Sequence, residues 1–250
     1  MFKSLTNIFR VQELRDRILY TVMAILVYRI GSHIPTPGID PTALLEFLSS
    51  AQGGGGLLTI MDLFSGGALF RFSILALGIM PYISASIIMQ LLGVVIPALE
   101  RMQKEGESGR KKINQYVRYL ALVLCIIQSA AMASWIQSIN EGAMIYMNPG
   151  LGFVLIVVAT ATAGTMFLMW LGDQITERGL GNGISVIIFA GIVARIPAGV
   201  YDMIQKKDSE YLNSLVIVLF FIIFAIVIFC VVYEESGQRR IPVQYAKRVV

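Results

Sequence analysis

The sequence contains few of the side chains that carry out chemistry. Among its 250 residues there is one histidine, His33, and there are two cysteines, Cys125 and Cys230, both within apolar runs. Free cysteines in such surroundings behave as small hydrophobic side chains, and a transition-metal site needs several ligands close together. We find no Ser-His-Asp set, no paired carboxylates in an apolar run and no metal-ligand cluster. We therefore expect no enzymatic activity, no catalytic residues, no metal and no cofactor.

Charged residues are also scarce. They make up 14% of the chain, whereas soluble domains have about 25%. Hydrophobic residues make up 56% of the chain, and the mean hydropathy is +0.72. This composition excludes an ordinary soluble domain and predicts an integral membrane protein.

Long apolar runs are abundant. A transmembrane helix needs about 20 predominantly apolar residues, and six runs approach or exceed this length. We expect membrane spans at residues 18–34, 73–96, 117–137, 153–171, 184–204 and 214–233. The predicted fold class is therefore all-α, a polytopic helical membrane protein with six transmembrane spans.

Polar segments flank and separate these spans. Residues 1–17 mix apolar and basic side chains in the pattern of an amphipathic helix on the cytoplasmic interface. We expect polar loops at residues 101–112 and 172–183, and an interruption of the fifth span by Arg195 and Pro197. Most of the 20 Lys and Arg residues lie on the side of the N-terminus. The positive-inside rule therefore predicts that both chain ends are cytoplasmic.

One apolar stretch, residues 57–72, is too short to cross a bilayer and is broken in its middle. It carries Asp62, Arg71 and the pair Gly66 and Gly67. Irregular backbone is tolerated at membrane depth only where protein buries it or water reaches it. We predict a re-entrant segment that enters a cavity from the non-cytoplasmic side. An amphipathic helix lying on the membrane surface fits the hydrophobicity equally well.

Two pairs of isoleucines have a spacing that places each pair on one helix face. Ile79 and Ile83 lie in the second span, and Ile184 and Ile188 lie in the fifth. Pro81 is expected to kink the second span. Spacing alone favours ordinary lipid-facing packing for these isoleucines. The functional alternative is a ring of branched side chains around a constriction, which excludes water and ions when narrow.

Polar side chains within the spans and a basic tail complete the candidates. Ser84 and Gln128 are expected to face the protein interior, where an interhelical hydrogen bond contributes about 0.6 kcal/mol. The tail, residues 234–250, begins a basic loop that contains Arg239, Arg240, Lys247 and Arg248. The positive-inside rule already explains this charge, and attraction to anionic lipid adds about 1 kcal/mol per residue. Docking of an acidic partner such as a ribosome is the alternative.

Long ungapped motifs carry a family resemblance. They are FSGGALFRFSILALGIMPYISASIIMQLL, KEGESGRKKINQY, GTMFLMWLGDQITERGLGNGIS and GQRRIPVQYAKR. These strings resemble the bacterial SecY family, the central subunits of Sec protein translocons, and the resemblance runs from about residue 11 to residue 248. It implies a protein-conducting channel that exports unfolded polypeptides across the cytoplasmic inner membrane and inserts membrane proteins laterally into it.

The resemblance also implies roles for individual residues. It places Ile79, Ile83, Ile184 and Ile188 on the family's pore ring. It identifies residues 57–72 as the plug, which includes Leu57, Ile60, Asp62, Phe64, Gly66, Gly67 and Leu69. It assigns Ser84 and Gln128 to the lateral gate. The cytoplasmic docking positions that it implies are Arg239, Arg240, Lys247 and Arg248.

The implied partners are those of a translocon. They are small membrane subunits like SecE and SecG, the SecA motor or a ribosome, substrate polypeptides that bear signal sequences, and anionic lipids. No ATP-binding motif is present, so the energy for transport is expected to come from a partner.

The chain departs from the family in its length. The family has ten spans in two inverted halves. Residues 18–213 correspond to the first half, and residues 214–233 correspond to the first span of the second half. We expect either a fragment or a second chain that carries the C-terminal half, and we expect that this chain alone does not form a sealed channel.

A secondary transporter of a small solute is the competing hypothesis. Inverted repeats and broken helices are typical of such transporters. Ion coupling would require acids or bases within the membrane, which the spans largely lack. Uptake of a solute driven by a proton or sodium gradient would distinguish the two classes.

Overall fold

The computed structural model describes residues 11–44, 55–139, 150–205 and 214–237, and its elements in these ranges are helices. They are α1 Gln12–Gly31, α2 Gly55–Phe64, α3 Met80–Val95, α4 Pro97–Lys104, α5 Glu107–Ile139, α6 Leu151–Arg178, α7 Gly183–Gln205 and α8 Ser214–Glu235. The described residues contain no β-strand, only an isolated bridge between Pro35 and Ser73. The all-α prediction is confirmed. The predicted interfacial helix falls mostly on residues 1–10, which lie outside the described ranges.

Several helices are long and apolar enough to cross a membrane. In the described part of the chain these are α5, α6, α7 and α8, and the pair of α3 and α4, bent by 102°, counts as a fifth if it forms one span. The chain is therefore a multi-pass membrane protein. The count of six spans is not confirmed. α1 carries charged residues such as Glu13, Asp16 and Arg29, and it is not apolar enough to be counted as a membrane span.

The predicted polar loop at residues 101–112 is wrong, because most of it is helical. It contains the end of α4, a turn at Gly106 with φ +78°, and the start of α5. Arg, Lys, Gln and Glu are good helix formers, and ion pairs one turn apart support them. Lys104 Nζ lies 2.6 Å from Glu100 Oε1, and Lys111 Nζ lies 3.0 Å from Glu107 Oε1. The low hydropathy of this stretch therefore reflects exposed side chains on helices and not irregular backbone.

Two further helices extend beyond their predicted limits. α6 continues to Arg178, so only a few residues remain of the predicted loop at 172–183. α7 continues through Arg195 and Pro197 without the predicted interruption.

The second predicted span begins as turns rather than as helix. Residues 74–79 form turns, and α3 starts at Met80 with Ile79 as its N-cap. Pro81 therefore lies in the first helical turn. A backbone N–H at this position would have no partner within the helix, so proline costs no hydrogen bond here. It starts the helix and does not kink it.

The chain divides into two compact units, Met1–Ile196 and Pro197–Val250. In the first unit, one apolar cluster joins α1, α6 and α7 to the turns before α3, and its members include Tyr28, Leu75, Leu168 and Ile187. A second cluster joins α3, α5 and α6 through residues such as Ala85 and Met169. In the second unit, the described side chains of α8 are all exposed, as expected of a helix that lipid surrounds.

Candidate functional site

The re-entrant segment, residues 57–72, is a short helix followed by consecutive turns. α2 ends at Phe64, and the backbone then passes through Gly66 at φ +68° and Gly67 at φ +88°. Residues 65–69 are all buried. A single amphipathic helix on the membrane surface does not describe this arrangement, because the irregular half lies inside the protein.

The end of the segment is held by backbone pairing with the loop that follows α1. Thr36 N donates to Phe72 O at 2.9 Å, and Ile74 N donates to Ile34 O at 2.9 Å. Phe72 adopts φ +43° and is 2% exposed. A positive φ is uncommon for a residue other than glycine, so these bonds and the buried ring hold the turn in a conformation that it would not adopt alone.

Two side chains of α1 bind the turn directly. The Tyr28 hydroxyl donates to the Ser65 carbonyl at 3.0 Å, and Arg29 Nη1 donates to the Gly66 carbonyl at 3.0 Å. Buried carbonyl groups need such donors, because no water is available to replace them. The contacts of Tyr28 and Arg29 with this segment were not predicted from the sequence.

The turn also lies directly against the backbone of α7. A Cβ on Gly66 would be 2.8 Å from Tyr28 Oη and 3.0 Å from Gly191 Cα. Gly66 also needs its positive φ, which glycine adopts without penalty. Gly66 and Gly191 together allow the segment and the helix to approach this closely.

A buried ion pair joins the segment to α7. Arg195 Nη2 lies 2.5 Å from Asp62 Oδ2, and the side-chain exposures are 34% for Arg195 and 0% for Asp62. Phe70 N donates to the other carboxylate oxygen, Oδ1, at 2.9 Å. Oδ2 accepts no well-aligned hydrogen bond from any described residue, so its contact with Arg195 is a close charge pair. Arg195 Cζ also lies 5.9 Å from the centre of the Phe70 ring, within the range of a cation–π contact.

This pair was not predicted from the sequence, although both residues were noted. Asp62 was noted as an acid within the short apolar stretch, and Arg195 was expected, with Pro197, to interrupt the fifth span. The available signal was that charged residues within apolar stretches tend to pair with one another. Asp62 in one apolar stretch and Arg195 in another were therefore candidates for a pair.

The structure brings the four candidate ring residues to one place. Ile79 belongs to the apolar cluster of the first unit and is 3% exposed. Ile83, Ile184 and Ile188 are partly buried and pack against the same cluster. Ala68 of the re-entrant segment is another member of it. The beginnings of α3 and α7 and the buried end of the segment thus meet at a common apolar centre.

The other candidate plug residues have different surroundings. Leu69 is 4% exposed, whereas Ile60 and Phe64 are 54% and 37% exposed. The side chain of Leu57 lies outside the described part of the structure. In the described part of the segment, the second half therefore lies in the protein interior, together with Asp62 of the first half.

The remaining candidates are separate from this centre or lie outside the described residues. Ser84 on α3 and Gln128 on α5 are both partly buried, on helices that pack against each other. The four basic docking candidates lie outside the described ranges. They are Arg239, Arg240, Lys247 and Arg248.

The helices and this buried, irregular segment define a class, that of multi-pass α-helical membrane proteins with broken backbone held in their interior. A sequence model of the SecY family matches residues 73–249. The chain belongs to the SecY family.

Individual relatives agree with this assignment. The chain is 53% identical, over 236 residues and 94% of its length, to the protein translocase subunit SecY of Buchnera aphidicola. Its fold is similar to Sec61 in the canine ribosome–channel complex from the endoplasmic reticulum, with a TM-score of 0.62 and 19% identity over 92% of this chain. It is also similar, with a TM-score of 0.56 and 21% identity over 89% of this chain, to a SecY whose plug domain is described as stabilising the closed state of the translocation channel.

The chain is shorter than these proteins. It spans 66% of the Buchnera protein, 49% of the Sec61 chain and 47% of that SecY chain. The fold of the matched part is shared, and the activity of the longer proteins comes to this chain only as a proposal.

Proposed function

We propose that the chain forms part of a protein-conducting channel. In this proposal it exports unfolded polypeptides across the cytoplasmic membrane and releases membrane proteins sideways into lipid. The observation that carries the proposal is the common apolar centre, where the four isoleucines and Ala68 of the re-entrant segment pack into one cluster. The name of the Buchnera relative, a protein translocase subunit, supports it.

The geometry suits such a channel in two ways. Branched aliphatic side chains around a narrow passage exclude water and ions, yet they can move aside for a passing chain. The re-entrant segment then acts as a plug, because it fills the centre beside Ile79 and is held there by bonds from α1 and α7. Ser84 and Gln128 are proposed to lie on one wall of the lateral gate.

The proposed surroundings follow from family membership and charge. We place the chain in the cytoplasmic inner membrane with a cytoplasmic N-terminus and with the basic tail available to a SecA-like motor, a ribosome or anionic lipid. SecE-like and SecG-like small subunits complete the channel in this proposal. The Sec61 neighbour was solved in a complex with a ribosome.

A secondary transporter is less well supported. It would need titratable groups at membrane depth that are free to bind a coupling ion. The acid that the described part of the structure buries within the membrane-embedded core, Asp62, is paired with Arg195.

The proposal is tested by placing polar groups in the candidate ring. In the assembled channel that contains this chain, Ile79→Asn with Ile83→Asn is expected to raise the resting conductance of planar bilayers, because a polar constriction admits water and ions. Ile87 and Ile88 lie on the same helix and are 51% and 38% exposed. Ile87→Asn with Ile88→Asn is therefore the matched control, and it should not leak. Unchanged conductance in the ring variant would argue against the channel assignment.

A further inference from the structure

We propose that Asp62 and Arg195 form an asymmetric latch that keeps the re-entrant segment in its closed position, and that Arg195 is the more important of the two. This inference deepens the proposed function, because it assumes that the segment leaves its position when a polypeptide passes. The latch differs from the hydrogen bonds that Tyr28 and Arg29 make to the segment, because both of its partners are charged side chains.

The first argument is the distribution of holding contacts. Tyr28 and Arg29 bind the backbone carbonyls of Ser65 and Gly66, so these two bonds do not depend on a charged side chain of the segment. Asp62 instead contributes its side chain, with Oδ2 at 2.5 Å from Arg195 Nη2. The pair joins the end of α2 to α7, and it fixes the helical half of the segment as well as the turn.

The second argument is the difference in burial between the two partners. The Asp62 side chain has no exposure, whereas the Arg195 side chain is 34% exposed. A carboxylate that loses its counter-charge in such a position is strongly unfavourable, because the surrounding protein shields it from water. A long, partly exposed arginine can instead extend its guanidinium to water.

The two single substitutions should therefore differ. Asp62→Asn keeps the shape of the side chain, its oxygen can still accept from Phe70 N, and Arg195 can turn to water. Arg195→Gln leaves the Asp62 carboxylate enclosed without its counter-charge, which should favour movement of the segment to a position where water reaches this group. The closed state should lose more stability when the base is removed than when the acid is removed.

The same reasoning shows how the latch opens. In the closed position the pair is held in a poorly hydrated site, where charge attraction is strong. Once a polypeptide admits water to this site, both groups can be hydrated separately and the attraction weakens. The pair thus resists spontaneous opening, but it does not hold the segment after the passage is wet.

A double-mutant cycle on resting ion conductance tests the latch. The variants are Asp62→Asn, Arg195→Gln and their combination, each in the assembled channel in planar bilayers. We expect Arg195→Gln to raise the resting conductance by about tenfold, which corresponds to about 1.4 kcal/mol. We expect Asp62→Asn to raise it by about threefold at most. The combined variant should conduct less than Arg195→Gln alone, because the enclosed charge is gone.

Two controls make the result specific. Arg17 pairs with Glu13 at 3.1 Å on an exposed face of α1, and Arg17→Gln should leave the conductance unchanged. The Ile79→Asn with Ile83→Asn channel shows that leak is detectable. If that channel leaks while Asp62→Asn equals or exceeds Arg195→Gln, the latch is wrong and the channel proposal stands. If the channel with Ile79→Asn and Ile83→Asn does not leak, the result contradicts the channel proposal itself.

A labelling experiment separates displacement of the segment from a folding defect. Leu69 is 4% exposed, so Leu69→Cys in a channel with Cys125 and Cys230 replaced by serine reports whether the segment is in place. Arg195→Gln should speed labelling of this cysteine by a polar maleimide, and adding Asp62→Asn should slow it again. Labelling that stays fast in the double variant would overturn the latch and indicate general unfolding.

Discussion

At the scale of single residues, the segment is seated so closely against α7 that one methyl group should disturb it. A Cβ on Gly191 would be 2.9 Å from Tyr28 Oη and 3.3 Å from Phe64 O. Overpacking of this kind lowers the free energy of unfolding by about 1–3 kcal/mol. We expect Gly191→Ala to lower the thermal stability of the purified channel and to raise its resting conductance.

Gly199 on the same helix provides the control. Apart from its own helix backbone, a Cβ there would meet no heavy atom of the described residues within 4 Å, and alanine is favoured over glycine in a helix by about 1 kcal/mol. Gly199→Ala should therefore leave stability unchanged or raise it slightly. Equal losses in both variants would trace the effect to the helix itself and not to the contact with Tyr28.

At the scale of elements, the re-entrant segment should be dispensable for transport but not for closure. The contacts described above hold the segment itself in place, and they include the bonds from Tyr28 and Arg29, the Asp62 pair and the backbone pairing at Phe72. We expect deletion of residues 59–69 to raise the ion leak while polypeptide export into inverted membrane vesicles continues. Loss of the assembled protein on deletion would instead show that the segment is needed for folding.

Hydropathy was a good guide to which elements exist and a poor guide to where they end. The apolar runs located the cores of α5, α6, α7 and α8, because lipid exposure selects apolar side chains. Hydropathy could not locate the polar start of α5, which helix propensity and the Lys111–Glu107 ion pair support, or the polar end of α6. Pro197 lies within α7, although proline usually disrupts helices in water.

The candidate site could be predicted from the sequence only in part. Periodicity placed Ile79 beside Ile83 and Ile184 beside Ile188, but it could not show that both pairs meet one cluster. That meeting depends on how α3 and α7 pack in three dimensions. The pairing of Asp62 with Arg195 is also a tertiary contact. Its signal in the sequence is that charged residues are rare in apolar stretches and tend to pair with one another.

At the scale of the whole molecule, exposed apolar and exposed charged side chains occupy different parts of the helices. The described side chains of α8 are exposed and apolar up to Tyr233, which suits a lipid solvent and would be unusual in water. Exposed basic residues gather instead at the start of α5, where Arg110, Lys111 and Lys112 extend the helix past its apolar part. This sorting supports the proposed orientation and makes it testable.

The orientation predicts opposite locations for two basic segments. Three helices that can cross a membrane, α5, α6 and α7, separate Lys112 from Lys207, and an odd number of crossings changes the side. The positive-inside rule places the richer segment, at Lys112, in the cytoplasm. An alkaline phosphatase reporter, which is active only outside the cytoplasm, should be inactive when fused after Lys112 and active after Lys207. A β-galactosidase reporter should give the reverse pattern, and phosphatase activity at Lys112 would contradict the orientation and, with it, entry of the re-entrant segment from the outer side.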